Sequence, residues 1–213
     1  FPQVLALLVD WLSGGMCDAL GMLFMSLELG EHGKGQFFTP YPVSALMARM
    51  TVGDVKAIIE REGHVSLNEP ACGAGGMVIA FAEAMLDQDV NYQHWLHATL
   101  QDIDATAVHM AYVQLSLLHV PAIVIHGNSL AMTSWAHWVT PAHVLGGWDQ
   151  RLRLHEASRK IRQVLQAGPP PEESNSAEPS EEPRQEVFVP SMHIDNSVAA
   201  SVAKHRLEQL SLF

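Results

Sequence analysis

Val65-Ser66-Leu67-Asn68-Glu69-Pro70-Ala71-Cys72-Gly73-Ala74-Gly75-Gly76 runs a short apolar strand into an acid, a proline and three glycines, and its reading decides the fold. The residues that follow, Met77 to Leu86, are apolar and free of breakers, so the turn opens a helix. Glycines remove Cβ atoms, which lets backbone N–H groups come close to a ligand, and the helix beyond offers a positive N-terminus. The stretch reads as a strand turning into a helix around a small ligand. Working downstream, strands are expected near 97–102 and 122–126, with helices near 74–87 and 104–118, the signature of a parallel α/β sheet. Such sheets bind ligands at the carboxyl ends of their strands, where Glu69, Asp102 and Asn128 all fall.

Upstream, residues 3–29 carry apolar side chains at helical spacing, and Gly14-Gly15 divides them into two helices expected to pack on the sheet. After a glycine-rich loop between Gly30 and Gly35, Thr39-Pro40 reads as a cap with proline at the first turn, opening a helix through Met50. Beyond Leu130 the pattern becomes irregular and rich in tryptophan (Trp135, Trp138, Trp148), which suggests a structured cap or loop. Residues 168–190 open with a run of Pro, Glu and Ser and read as a disordered linker. The expected organisation is therefore N-terminal helices over 1–30, a main domain over 31–167, the linker, and a short tail over 191–213.

The chain has 213 residues, 48% of them hydrophobic, enough for one core of ordinary size. No apolar stretch is long enough to span a bilayer and no secretion signal is visible, so a cytoplasmic protein without a membrane partner is expected. Cys17 and Cys72 are too few for a disulfide scaffold or a zinc site, and the scattered histidines show no His-Glu-x-x-His spacing, so no metal is expected. The chain opens on Phe1, as a trimmed chain or a fragment does. Its formal net charge is −11, awkward for contact with DNA phosphates, yet the charge is unevenly placed. Arg151, Arg153, Arg159, Lys160 and Arg162 face only Glu156 within residues 150–167. That segment reads equally as a phosphate-contacting edge or as a solvated helix face.

Four segments occur in a fixed order: Gly35-Gln36-Phe37-Phe38-Thr39-Pro40, the glycine turn, Leu100-Gln101-Asp102-Ile103-Asp104, and His126-Gly127-Asn128-Ser129-Leu130. Singly, each also occurs in nucleotide-binding or purely structural α/β domains. In this order the sequence resembles the bacterial adenine-N6 DNA methyltransferases, especially the modification subunits of type I restriction systems and their small plasmid- and phage-borne relatives. The resemblance implies a Rossmann-like sheet of the S-adenosylmethionine-dependent methyltransferase type, here with N-terminal helices and ending after the third or fourth strand. It implies S-adenosylmethionine as cofactor and DNA as partner. Glu69 then pairs with the methionine ammonium while Pro70, Ala71, Gly73 and Gly75 shape the backbone around it. Asp102 accepts the ribose hydroxyls and Ile103 packs on the adenine. Asn128, beside Ser129, stands where the family commonly has an Asp, and its carbonyl accepts from the adenine amino group. Phe38, Thr39 and Pro40 close over the methionine end.

These enzymes hold a flipped adenine with an Asn/Asp-Pro-Pro-aromatic turn soon after the third motif, and this sequence has none there. The nearest substitute is Thr140-Pro141-Ala142-His143, which also reads as a helix-starting turn. Three functions stay open: an adenine-N6 methyltransferase-like enzyme, a catalytically inactive module that regulates DNA transactions, and one subunit of a split enzyme whose partner supplies target recognition. The last five residues, Gln209-Leu210-Ser211-Leu212-Phe213, resemble the bacterial sliding-clamp-binding motif, which implies the clamp as a second partner.

Overall fold

Strands β1 (Val65–Glu69), β2 (Leu96–Asp102) and β3 (Ala122–Asn128) form where the sequence is richest in alternating or continuous apolar residues. In this computed structural model, which describes residues 2–29 and 37–167, all three run parallel. Val65 lies opposite Leu96 and Glu69 opposite Leu100, while Ala98 lies opposite Ala122 and Asp102 opposite His126. Helices α5 (Gly76–Leu86) and α7 (Ala105–Leu117) belong to the crossovers, the first followed by the short α6 (Tyr92–Trp95). Both crossovers step the same way across the sheet, so their right-handedness puts the helices on one face. There Val78, Ile79, Met85, Val108, Ala111 and Leu115 bury against Leu96, Ala98, Leu100 and Val124.

The segment after Leu130, expected as a cap or loop, is instead a fourth strand. β4 (Thr133–Val139) returns antiparallel to β3, so the sheet order is β1-β2-β3-β4 and its last edge is mixed. Thr, Trp and Val favour a pleated surface, and the reversal is tied by Ala131 N–H donating to Asn128 Oδ1 (3.0 Å). Register shifts between His126 and Gly127, and Trp138 packs against the core. The fold is thus an α/β open sheet of four strands among the described residues, mostly parallel and Rossmann-like.

Helices α1 (Pro2–Ser13) and α2 (Ala19–Ser26) flank the break at Gly14-Gly15. Leu8, Leu12 and Ala19 pack with Val113 and Leu118 beside α7. Buried Asp18 caps α2 by accepting from Gly21 N–H (2.9 Å), and Gln114 of α7 reaches it with an Nε2–H bond of 2.8 Å. Helix α3 (Tyr41–Thr51) starts after Pro40, which occupies the cap position without a side-chain bond, so Thr39 is not the cap. Helix α4 (Val55–Glu62) leads into β1. At the opposite end of the strands, α8 (Pro141–Leu145) and α9 (Trp148–Ala167) follow β4. The linker 168–190, the tail 191–213 and its pentapeptide at Gln209, Leu210, Ser211, Leu212 and Phe213 lie outside the described residues, as does loop 30–36. No helix among the described residues is long and apolar enough to cross a membrane.

Candidate functional site

A cleft of about 1040 Å³ opens at the carboxyl ends of β1 and β2. The glycine turn builds its floor. Cys72 N–H donates to Gln101 O (2.9 Å) and Gly73 N–H donates to Asp102 Oδ2 (2.8 Å), which lashes the first turn to the second strand. Gly73 has φ +52°, and a Cβ there would stand 3.0 Å from the Phe38 ring, so both conformation and space require glycine. Gly75, at φ +92°, caps α5 and sits behind the lining against Ala111.

Asp102 uses both carboxylate oxygens on the backbone: Oδ2 accepts from Gly73 and Oδ1 from Asp104 N–H at 2.9 Å. Each oxygen keeps a second lone pair for a ligand hydroxyl. Glu69 Oε1 accepts from Ala71 N–H (3.3 Å). Burial, opposed by that bond and reinforced by the Asp102 charge, holds the Glu69 carboxyl above its ordinary range. The Cys72 thiol is raised by burial, then by Asp102 and Glu69, and it stays protonated. Phe38 stacks on Phe24 with ring centroids 5.0 Å apart. Ile103 stays 60% exposed at the rim.

Of the expected cofactor residues, Phe38, Thr39, Glu69, Ala71, Gly73, Asp102 and Ile103 line this cleft. Pro40, Pro70, Gly75, Asn128 and Ser129 do not. Asn128 Oδ1 accepts from Ala131 N–H in the β3–β4 reversal, and the residue is not among those that line the cleft. Asp18, Ser44, Met47 and Thr106 line the cleft and escaped the sequence reading, which quoted Asp104 within a motif but gave it no role. Asp18 and Asp104 both precede helices as capping acids, a signal the sequence carries, but nothing local says that these caps face one cavity. Ser44 is 1% exposed on the first turns of α3, and its hydroxyl has no partner although it lines the cleft. The described lining holds four carboxylates, Asp18, Glu69, Asp102 and Asp104, and no Lys, Arg or His.

The substitute acceptor turn lies elsewhere. Thr140 caps α8, donating to Val120 O (2.7 Å) and accepting from Ala122 N–H (2.9 Å). Pro141 starts that helix. The buried His143 ring links His97 Nε2 (2.9 Å) to Asp149 Oδ1 (3.1 Å). His97 is the second residue of β2 whereas Asp102 ends it, so the turn sits about 16 Å down the strand from the cleft. Thr140-Pro141-Ala142-His143 is therefore a helix start, as its alternative reading had it, and not part of the cleft. The five clustered bases, Arg151, Arg153, Arg159, Lys160 and Arg162, all fall on α9. Arg151 stacks over Trp148 at 3.7 Å and Lys160 pairs with Glu156 at 2.7 Å, while Arg153, Arg159 and Arg162 are exposed. No group of three or more His, Cys, Asp or Glu among the described residues is arranged to hold a metal ion.

The profile of the N-6 DNA methylases matches residues 21–146, more than half of the chain, from within α2 to just past α8. The chain belongs to the N-6 DNA methylase family. A comparison with curated proteins finds no match. The N-6 DNA methylase match spans the glycine turn, Glu69, Asp102 and the N-terminal Phe38-Thr39, the same segments that converge on the cleft. Members of this family generally use S-adenosylmethionine, and DNA is their substrate. Helix α9 lies beyond the matched residues.

Proposed function

We propose that the chain binds S-adenosylmethionine in the cleft at the ends of β1 and β2, as the cofactor-holding part of a DNA adenine-N6 methyltransferase. The observation that carries this reading is the sign of the cleft: four carboxylates and no base among its described lining residues. A phosphate-bearing nucleotide is repelled by such a lining, whereas a ligand with a sulfonium and an ammonium is attracted. Glu69 pairs with the ammonium, the free N–H groups of the glycine turn and the start of α5 face the carboxylate, and Asp102 accepts from the ribose hydroxyls with its remaining lone pairs. Asp18 lies behind the turn, and burial raises its carboxyl against the opposing bonds from Gln114 and Gly21. The cofactor supplies an activated methyl group; the chain's own residues bind and orient it. Isothermal titration of the folded protein with S-adenosylmethionine is the test, and no heat at millimolar ligand overturns the reading.

Methyl transfer to adenine is a separate matter, since nothing that lines the cleft is an Asn-Pro-Pro-aromatic turn. The expected result of a tritium-transfer assay with the isolated chain and adenine-containing duplex is little or no product, which suits an inactive module or one part of a split enzyme. Robust transfer by the isolated chain identifies an enzyme complete in itself. The terminal pentapeptide keeps its sequence-based reading as a clamp-docking peptide, tested by a pull-down with purified clamp before and after truncation at Glu208.

A further inference from the structure

Helix α9 is anchored by its first two turns, and beyond them its described side chains are exposed. Trp148 is fully buried, Arg151 stacks on it, and His155 approaches Glu62 to 3.7 Å and meets the His64 ring edge-on. From Glu156 onward every described side chain is exposed. Yet this solvent-facing half is not polar all round. Leu154, Ile161 and Leu165 are 60%, 62% and 77% exposed. At 100° per residue they fall within an arc of about 40°, with Ala157 and Ser158 flanking it on either side. Leu154, Ser158, Ile161 and Leu165 follow the spacing i, i+4, i+7, i+11 by which one helix face meets another.

The charges are arranged around that stripe. Arg162 borders one side and Arg153 and Lys160 the other, while Arg159 lies further round and the lone acid, Glu156, sits toward the back. We infer that the exposed half of α9 docks an amphipathic helix of another protein whose apolar stripe is bordered by Asp and Glu. Charge complementarity selects this occupant: a second copy of α9 sets bases against bases. A DNA groove accepts the bases but leaves three large aliphatic side chains pressed on phosphate and water.

The probe is a fluorescent synthetic peptide of four heptads, with leucine at the two apolar positions and glutamate at the flanking ones, titrated into the full chain. Saturable micromolar binding is expected, weakened by salt and at least tenfold by Ile161→Asp, with a lysine-flanked peptide inactive. Arg153, Ile161 and Arg162 are exposed, so the variants keep the wild-type melting curve. Arg153→Glu with Arg162→Glu should reverse the preference toward the lysine-flanked peptide, an exchange that a merely sticky surface does not show. The inference is overturned if neither peptide binds, if both bind equally, or if sedimentation shows a dimer that Ile161→Asp dissociates. It is equally overturned if duplex DNA binds the Ile161→Asp protein undiminished but not the double Glu variant. None of these outcomes bears on cofactor binding in the cleft.

Discussion

Asp102 does two jobs with one carboxylate: it ties Gly73 and Asp104 into the turns, and it offers what is left of its lone pairs to the cleft. Replacing it with alanine is expected to weaken S-adenosylmethionine binding by about 1.5–3 kcal/mol, read by titration calorimetry. Asn128→Ala is expected to leave that affinity unchanged, because its side chain serves the β3–β4 reversal. Ser44 gives the sharper contrast. Its hydroxyl is buried without a partner, so Ser44→Ala should stabilise the free protein by up to about 1 kcal/mol. If the hydroxyl is kept for the ligand, the same variant binds S-adenosylmethionine less tightly. A variant that melts lower and binds normally would assign Ser44 to packing alone.

At the level of elements, the joint between α2 and α7 is held by a buried polar pair, Asp18 and Gln114. Gln114 is fully buried, donating from Nε2 to Asp18 Oδ1 and to Ala74 O (both 2.8 Å) and accepting from Leu20 N–H (2.9 Å). Gln114→Leu takes a bond from all three partners, leaving Asp18 only the one from Gly21 N–H, and is expected to cost about 3 kcal/mol in a urea titration. This joint was invisible in the sequence, since Asp18 and Gln114 are 96 residues apart and a polar residue amid Val113 and Leu115 reads as an exposed helix position. The three parallel strands were legible because they are buried on the core face and end in turn signals. β4 was not: its residues are half-exposed or exposed along their length, so no clean alternation marks it. The cleft was legible where chemistry and local turn coincide, at Glu69, Gly73 and Asp102, and illegible where the fold alone brings a residue in, as with Ser44. Five clustered bases hinted at a phosphate contact, and only the exposure of Leu154, Ile161 and Leu165 revealed the apolar stripe between them.

Across the whole molecule, acid should loosen the end of the sheet opposite the cleft. His97 is 2% exposed; burial, then His143 and His64, with Arg151 adding and Asp149 opposing, push its imidazole down to about 3. The unfolded chain takes up that proton near the ordinary value of about 6.5, so stability from neutral His97 is complete above about 6.5 and is lost as pH falls toward 3. His64 is shifted in the same direction, first by burial. Asp18 and Glu69, raised by burial, act in the opposite sense under acid, so the clean readout is a difference between proteins. The stability advantage of wild type over His97→Gln should shrink by on the order of 2 kcal/mol between pH 7.5 and pH 5. An advantage independent of pH would mean that His97 does not titrate as its burial requires.

The sheet order β1-β2-β3-β4 repeats the order of the chain, so each strand finds its neighbour already made. During synthesis no strand has to wait for a later one to be inserted beside it, and loop closure between strands stays short. The N-terminal helices follow a different clock. Asp18 is translated early, but its buried partner Gln114 comes 96 residues later, and until then the acid stays in water. Helices α1 and α2 therefore wait for α7, the element whose arrival fixes α2 against the sheet.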